Sequence, residues 1–259
     1  MLRPRLRKLK AREMRSIRHW AIELAVVVVG VLLALWTAEW AEGRREGRLQ
    51  AQRVANMDHA IRDIAATAAA AKGSYECEDS RLADLKAGLD RHGLDWPGPP
   101  ATSGPDLTAN LIFPLPINVG TSPISLAPFE AAEANGTLGT LSAEESAYYQ
   151  TRQREVGFMN DAHDMSVDAM IELAILSEPR RLSRQEWDDA RQALATLELA
   201  RLIRRTHESG ILRQFQKDGE FDQAFWNTFD HFARLEEALN GECYAPVDPR
   251  DGSPWKGRD

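Results

Sequence analysis

The feature that most constrains this chain is an uninterrupted apolar run near its start. Residues 24–36 read LAVVVVGVLLALW, thirteen positions without one polar or charged side chain. A helix on the surface of a soluble domain keeps a polar face, and this run has none to offer. Trp20 and Trp40 stand at its two ends, with Trp36 one turn inside the second. Twenty helical steps from Trp20 to Trp40 cover about 30 Å, the thickness of a bilayer's hydrocarbon core. Indole rings favour the headgroup boundary, so Trp20, Trp36 and Trp40 read as the interface belt of a transmembrane helix over residues 20–40.

The flanks give the helix a direction. Arg3, Arg5, Arg7, Lys8, Lys10, Arg12, Arg15 and Arg18 precede it, opposed by Glu13 alone. Arg44, Arg45 and Arg48 follow, interleaved with Glu42 and Glu46. Basic residues collect on the cytoplasmic side of a span, which places tail 1–19 in the cytoplasm and the rest outside it. The rival is a cleaved signal peptide. It is disfavoured because Trp36, Glu39 and Trp40 occupy the positions where a cleavage site needs small residues. A basic run touching a span serves topology and anionic lipid, so nucleic acid is not expected as a partner.

Within the span, Gly30, Ala34 and Ala38 repeat every fourth residue, and Glu23 falls on roughly the same face. Helices associate in lipid through small residues and polar atoms, so this face suits a helix–helix contact. Glu23 lies within a turn of the boundary and has an alternative, which is to snorkel into water.

Beyond Trp40 the balance turns acidic. Lys plus Arg total 32, of which 8 are in the tail, leaving 24; Asp plus Glu total 39, of which Glu13, Glu23 and Glu39 lie before residue 41, leaving 36. The exported part is therefore near −12, which suits basic partners or cations rather than anionic ones. The chain has two cysteines, Cys77 and Cys243, and both fall in this part. Outside the cytoplasm they are expected to form a disulfide, worth about 4–5 kcal/mol by loop-closure entropy. Two buried free thiols are the alternative.

The helical pattern continues from the span through residues 41–72. Val54, Met57, Ile61, Ile64 and Ala68 step by 3 and 4, a seam that fits either a dimeric stalk or the inside of the domain's own helical bundle. Ser74 is placed to cap a second helix carrying Leu82, Leu85 and Leu89. Residues 93–128 hold eight of the thirteen prolines, which predicts an irregular crossover with short extended pieces at 111–113 and 117–119. A short helix over 125–134 ends at Asn135-Gly136. Ser142 with Glu145, and Ser183 with Glu186, form S-x-x-E capping boxes for two further helices. The first runs to about residue 177 with Tyr149, Val156, Met159, His163, Ser166, Met170 and Leu173 along its seam. The second carries Trp187, Ala190, Leu194 and Leu197 and is expected to stop near Thr206, with Ser209-Gly210 and Asp218-Gly219 as interruptions. A last helix presents Phe221, Phe225, Phe229 and Phe232 as core. Residues 246–259 read as a loose tail.

Chemistry is sparse. The exported part has His59, His92, His163, His207 and His231, but no HExxH and no ExxH. There is no G-x-S-x-G, P-loop or G-x-G-x-x-G, so no catalytic residue, metal ligand or cofactor is assigned. His163, flanked by Asp161 and Asp164, is the one candidate polar site. It serves either as a cation or proton site or as an edge-of-core histidine bonded to a neighbour.

Residues 23–40 (ELAVVVVGVLLALWTAEW) with the Arg/Glu-rich helix after them resemble a group of uncharacterised bacterial single-span membrane proteins. So do residues 129–141 (FEAAEANGTLGTL). The likeness covers about a third of the chain and leaves out the Pro-rich stretch. It implies a bacterial inner-membrane setting with a helical periplasmic domain of unknown function, and no catalytic residues.

The expected architecture is all-α: tail 1–19, span 20–40, a helical periplasmic domain over 41–245, and a loose end. The expected role is a non-enzymatic interaction or scaffold module, bound to the bilayer and to a protein partner or to itself through span and stalk. The alternative is a periplasmic sensor or solute-binding domain that acts through a separate membrane partner.

Overall fold

A computed structural model describes residues 3–99, 124–218 and 221–255. The chain is mostly helical. Six α-helices are present among the described residues: α1 (Arg3–Ala71), α2 (Tyr75–His92), α3 (Ala127–Ala134), α4 (Ala143–Leu173), α5 (Arg184–Asp218) and α6 (Gln223–Asn240). The chain divides into two compact units, Met1–Arg53 and Val54–Asp259.

The first unit is the N-terminal part of α1. An 18-residue window of it has a mean hydropathy of 2.1 and no buried residue. By length and composition it is a candidate membrane span. Its valines and leucines are exposed; Leu24, for example, keeps 66% of its surface and Val26 67%. Exposed apolar area on this scale is unfavourable in water and neutral in lipid.

The second unit opens with the last turns of α1. Met57, Ile61, Ile64 and Ala68 are buried here, with Val54 packed against them. The 3–4 seam therefore packs against the chain's own helices. The second compact unit begins at Val54. Ala65, Ala66 and the run 68–71 are also buried, since small side chains let several elements approach α1 closely.

Two apolar clusters form. The first joins α1 to Phe129 and Ala132 of α3, to Val156 and Met159 of α4, to Ile211 and Phe215 of α5 and to Phe225, Trp226 and Phe229 of α6. The second joins Leu82, Leu85 and Leu89 of α2 to Ala169, Met170 and Leu173 of α4 and to Ala190, Leu194 and Leu197 of α5. Helices α4 and α5 run antiparallel, as two contacts show. Phe158 stacks on His207 at 4.9 Å, and Gly210 faces the Glu155 carboxylate.

Local signals explain most boundaries. Ser142 accepts from the Glu145 amide at 3.2 Å while Glu145 accepts from the Ser142 amide at 3.0 Å, completing a capping box. Ser183 and Glu186 do the same at 3.2 and 2.7 Å. Gly136 takes φ +69°, left-handed backbone that favours glycine, and ends α3.

Three expectations are corrected. Ser74 does not cap α2; its hydroxyl donates to the Ala71 carbonyl at 2.8 Å, and one 3-10 turn joins α1 to α2. Helix α5 passes unbroken through Ser209-Gly210, because burial of Ile211, Leu212 and Phe215 exceeds the roughly 1 kcal/mol that an internal glycine costs. The segment from Pro246 is folded back as far as Trp255, whose ring stacks on Trp226 at 4.8 Å.

Of the Pro-rich crossover, residues 100–123 lie outside the described residues, and with them both extended pieces expected at 111–113 and 117–119. The described start makes a short antiparallel ladder, β1 (Asp95–Trp96) with β2 (Arg180–Arg181). Trp96 is buried there and donates its indole N–H to the Leu176 carbonyl at 2.7 Å.

Candidate functional site

Cys77 and Cys243 are joined, with their Cα atoms 5.4 Å apart. Cys77 lies in the first turn of α2 and Cys243 in the 3-10 turn after α6, so the bond fastens the ends of those two helices.

Beside this bond lies a cluster of buried charge. Along α5 a core register runs Ala190, Leu194, Leu197, then Arg201, Arg204, Glu208, then Ile211 and Phe215. The middle three occupy core positions, yet they are ionic. On α2, Glu78 stands one turn before Leu82; on α6, Glu236 and Asn240 follow Phe229 and Ala233. Arg201 is 5% exposed, Glu208 1%, Glu78 3% and Glu236 8%, so these charges are hidden from water.

They satisfy one another across helices. Arg201 donates to Glu78 at 3.1 Å and to Asp79 at 2.8 Å. Arg205 forks onto both Asp79 oxygens at 3.0 and 2.9 Å and reaches the Tyr75 carbonyl at 2.8 Å. Arg204 donates to Glu208 at 2.7 Å, and the Tyr75 hydroxyl donates to the other Glu208 oxygen. Arg81 donates to the Asn240 side chain at 2.9 Å, and Asn240 donates to Glu236 at 3.0 Å. The Arg205 guanidinium also sits 4.1 Å over the Tyr75 ring.

The electrostatics follow from this packing. Burial raises the Tyr75 hydroxyl's pKa, and the Glu208 carboxylate that accepts its proton raises it further. Burial alone would raise the Asp79 carboxyl, but the hydrogen bonds and charge of Arg205, with the charge of Arg201, hold it below the usual range. Burial pushes Glu236 up to about 7; the Arg204 charge opposes this, and Glu78 adds to it. Burial would lower Arg204, and the carboxylates of Glu208 and Glu78 outweigh it and keep it charged. This layer offers directional pairing between helices and a carboxyl, Glu236, raised to about 7. It presents no activated nucleophile.

A groove of about 890 Å³ lies between α1, α3 and α6. Ile64, Ile124 and Phe232 give it apolar walls, and His59, Asp63, Thr228 and His231 line it with polar groups. Asp63 accepts from the Thr228 hydroxyl at 2.9 Å and lies 3.4 Å from His59 Nε2.

The sequence candidates fall as follows. Trp20, Trp36 and Trp40 are exposed on α1, as are Glu23, Gly30, Ala34 and Ala38. The Arg44 guanidinium lies 4.1 Å over the Trp40 ring. His163 is half-buried while Asp161 and Asp164 are exposed. At about 100° per residue, His163 and Asp161 point to nearly opposite sides of α4, so the three do not converge. Among the described residues no group of three His, Cys, Asp or Glu side chains is placed to hold a metal ion.

No protein-family model matches the chain, and neither a curated protein nor a solved structure matches it.

Proposed function

We propose that this chain is a single-pass protein of a bacterial inner membrane, with its N-terminus in the cytoplasm and a disulfide-closed helical bundle in the periplasm. Its role is to hold that bundle at the membrane as an interaction module, without catalysis. The observation that carries this reading is the exposed Val/Leu surface of α1, which only lipid or another apolar helix covers at low cost. The Cys77–Cys243 bond supports an oxidising compartment. The likeness of residues 23–40 and 129–141 to bacterial single-span proteins supports the setting. The contact face for a membrane partner is Glu23, Gly30, Ala34 and Ala38.

Photo-crosslinking in cells from Ala34 and Ala38, with mass spectrometry of the captured protein, tests the role. A defined neighbour or a second copy is expected. Capture of lipid alone sinks the interaction reading, and release of the chain by alkaline carbonate sinks the anchor.

The groove supports a second reading, a solute-binding domain that passes its state to a membrane partner. Its volume lies in the ligand-pocket range of about 300–1,000 Å³. A thermal-shift screen of small periplasmic solutes, repeated on Asp63→Ala, tests it; stabilisation that the variant loses is the expected sign.

A further inference from the structure

At the C-terminal end of the apolar run, α1 carries charges that its own stability does not explain. Neighbours on a helix face are three or four residues apart. At those steps Glu39, Glu42 and Glu46 follow one another, as do Arg44 with Arg48 and Arg45 with Arg48. Between Trp36 and Gln50, Glu42 and Arg45 are the sole opposite charges at such spacing. Like charges on one face cost an isolated helix stability, whereas alternating Glu and Arg four apart would add to it. The sequence separates its charges rather than pairing them.

The separation has a direction. At about 100° per residue, Trp36, Trp40, Arg44 and Arg48 fall within a sector of about 120°, and the three glutamates gather within about 60° on the other side. Arg44 lies 4.1 Å over Trp40, so its charge is held at the depth of that ring. Both rings stay open, Trp36 at 63% and Trp40 at 52%, and the arginines are exposed.

We propose that this aromatic–basic face binds the phosphate groups of anionic phospholipids at the C-terminal end of the span. The inference rests on reading residues 20–40 as a membrane span. Indole rings lie at headgroup depth, and a guanidinium stacked on one is placed where lipid phosphates are. A guanidinium's planar fork matches phosphate oxygens in pairs, which an ammonium does not. The glutamate side is repelled by the same headgroups, so one face of the helix meets the bilayer surface and the other turns away from it.

The test uses the full chain in vesicles of equal phosphatidylglycerol and phosphatidylcholine. A photoreactive benzoylphenylalanine at Ala41, beside the arginines, captures lipid that mass spectrometry then identifies. Each arginine near an anionic surface contributes about fivefold, so phosphatidylglycerol is expected in at least about fivefold excess. The Arg44→Gln/Arg48→Gln variant is expected to lower the excess at least about fivefold, while Glu42→Gln/Glu46→Gln keeps it. Reading from Ala41 leaves out the basic tail at the other end of the helix. A ratio near one in the parent chain, or an excess undiminished by loss of Arg44 and Arg48, overturns the inference and leaves the anchor standing. A second photoprobe at Leu33 is expected to capture acyl chains. If it captures none, the span reading falls, and this inference with it.

Discussion

The apolar clusters and the charged layer beside the disulfide solve the same packing problem in opposite ways. Both lie on core-facing positions of α5, in one continuous register. In the clusters, Leu194, Leu197, Ile211 and Phe215 are held by burial that tolerates any well-shaped apolar neighbour. In the layer, Arg201 is held by directional pairs to Glu78 and Asp79, and Glu208 by pairs to Arg204 and Tyr75, each of which fails if its partner is lost. Burying ions rarely adds stability over apolar residues of the same shape, but it penalises every misfit. The clusters therefore supply cohesion, and the layer fixes how α2 and α6 sit on α5. The covalent bond stands at the layer, where net stabilisation is smallest.

That contrast can be broken in four ways, taken here from the largest effect down. Replacing both cysteines with serine removes a cross-link between residues 166 apart, and loop-closure entropy puts the loss at about 5 kcal/mol. Urea unfolding of parent and variant measures it, and a loss below about 2 kcal/mol would mean that the layer holds its helices unaided.

Next, Glu208→Ala strands the Arg204 guanidinium and the Tyr75 hydroxyl in a buried site, at an expected cost of about 3–5 kcal/mol. Combining Arg204→Met, Glu208→Leu and Tyr75→Phe should recover most of that. Phe229→Ala in the first cluster costs a similar amount, through the cavity it leaves. If the triple variant stays as unstable as Glu208→Ala, the layer and the clusters do not differ in kind.

The third effect depends on pH. Glu236 is raised from an ordinary 4.5 to about 7. Below 4.5 the carboxyl is protonated in folded and unfolded chains alike, and it contributes nothing. Between 4.5 and 7 the unfolded carboxyl ionises while the folded one keeps its proton, so folding grows costlier; above 7 the penalty is complete. Its size is at most about 3 kcal/mol. Glu236→Gln is therefore expected to stabilise the chain at pH 8 by about 1–3 kcal/mol and to do nothing at pH 4. Asp79 has the opposite sign: held low by Arg205 and Arg201, it lends stability that is present above its ordinary value and lost in acid. Unfolding midpoints of parent and variant across this range separate the two.

The smallest effect lies outside both regions. Ser142→Ala removes a capping hydroxyl at the start of α4 and is expected to cost about 1 kcal/mol near neutrality and less in acid, because that hydroxyl's bond to Glu145 helps hold the carboxyl below its ordinary range.

Much of this could be read from residue order. The apolar run, both capping boxes, the Asn135-Gly136 stop and the aromatic face of α6 rest on local rules that tertiary contacts did not overturn. The layer could not be read by the same rules, which treat charge as a mark of the solvated face. A signal was nonetheless present: Arg201, Arg204 and Glu208 continue the four–three spacing of Ala190, Leu194 and Leu197, and Ile211 and Phe215 resume it. Trp255 was missed for a related reason. Proline, glycine and aspartate around it suggest a loose end, and only Trp226, on another element, gives its ring a place. Gly73 shows the same limit. A Cβ there would come within 2.8 Å of the Ala245 carbonyl oxygen, a crowding that becomes visible only once both ends of the domain are in place.

The meeting of those ends matters during synthesis. The alanine-rich turns of α1 are made early, but Phe225, Phe229 and Tyr244, which complete their cluster, come from α6 and the segment after it. Until those arrive, the emerging chain shows an uncovered apolar surface, of the kind that chaperones and proteases recognise. A ribosome that stops before α6 releases a product that cannot close its first cluster or form its cross-link. The first cluster therefore closes, and the cross-link forms, only after α6 and Cys243 have been made.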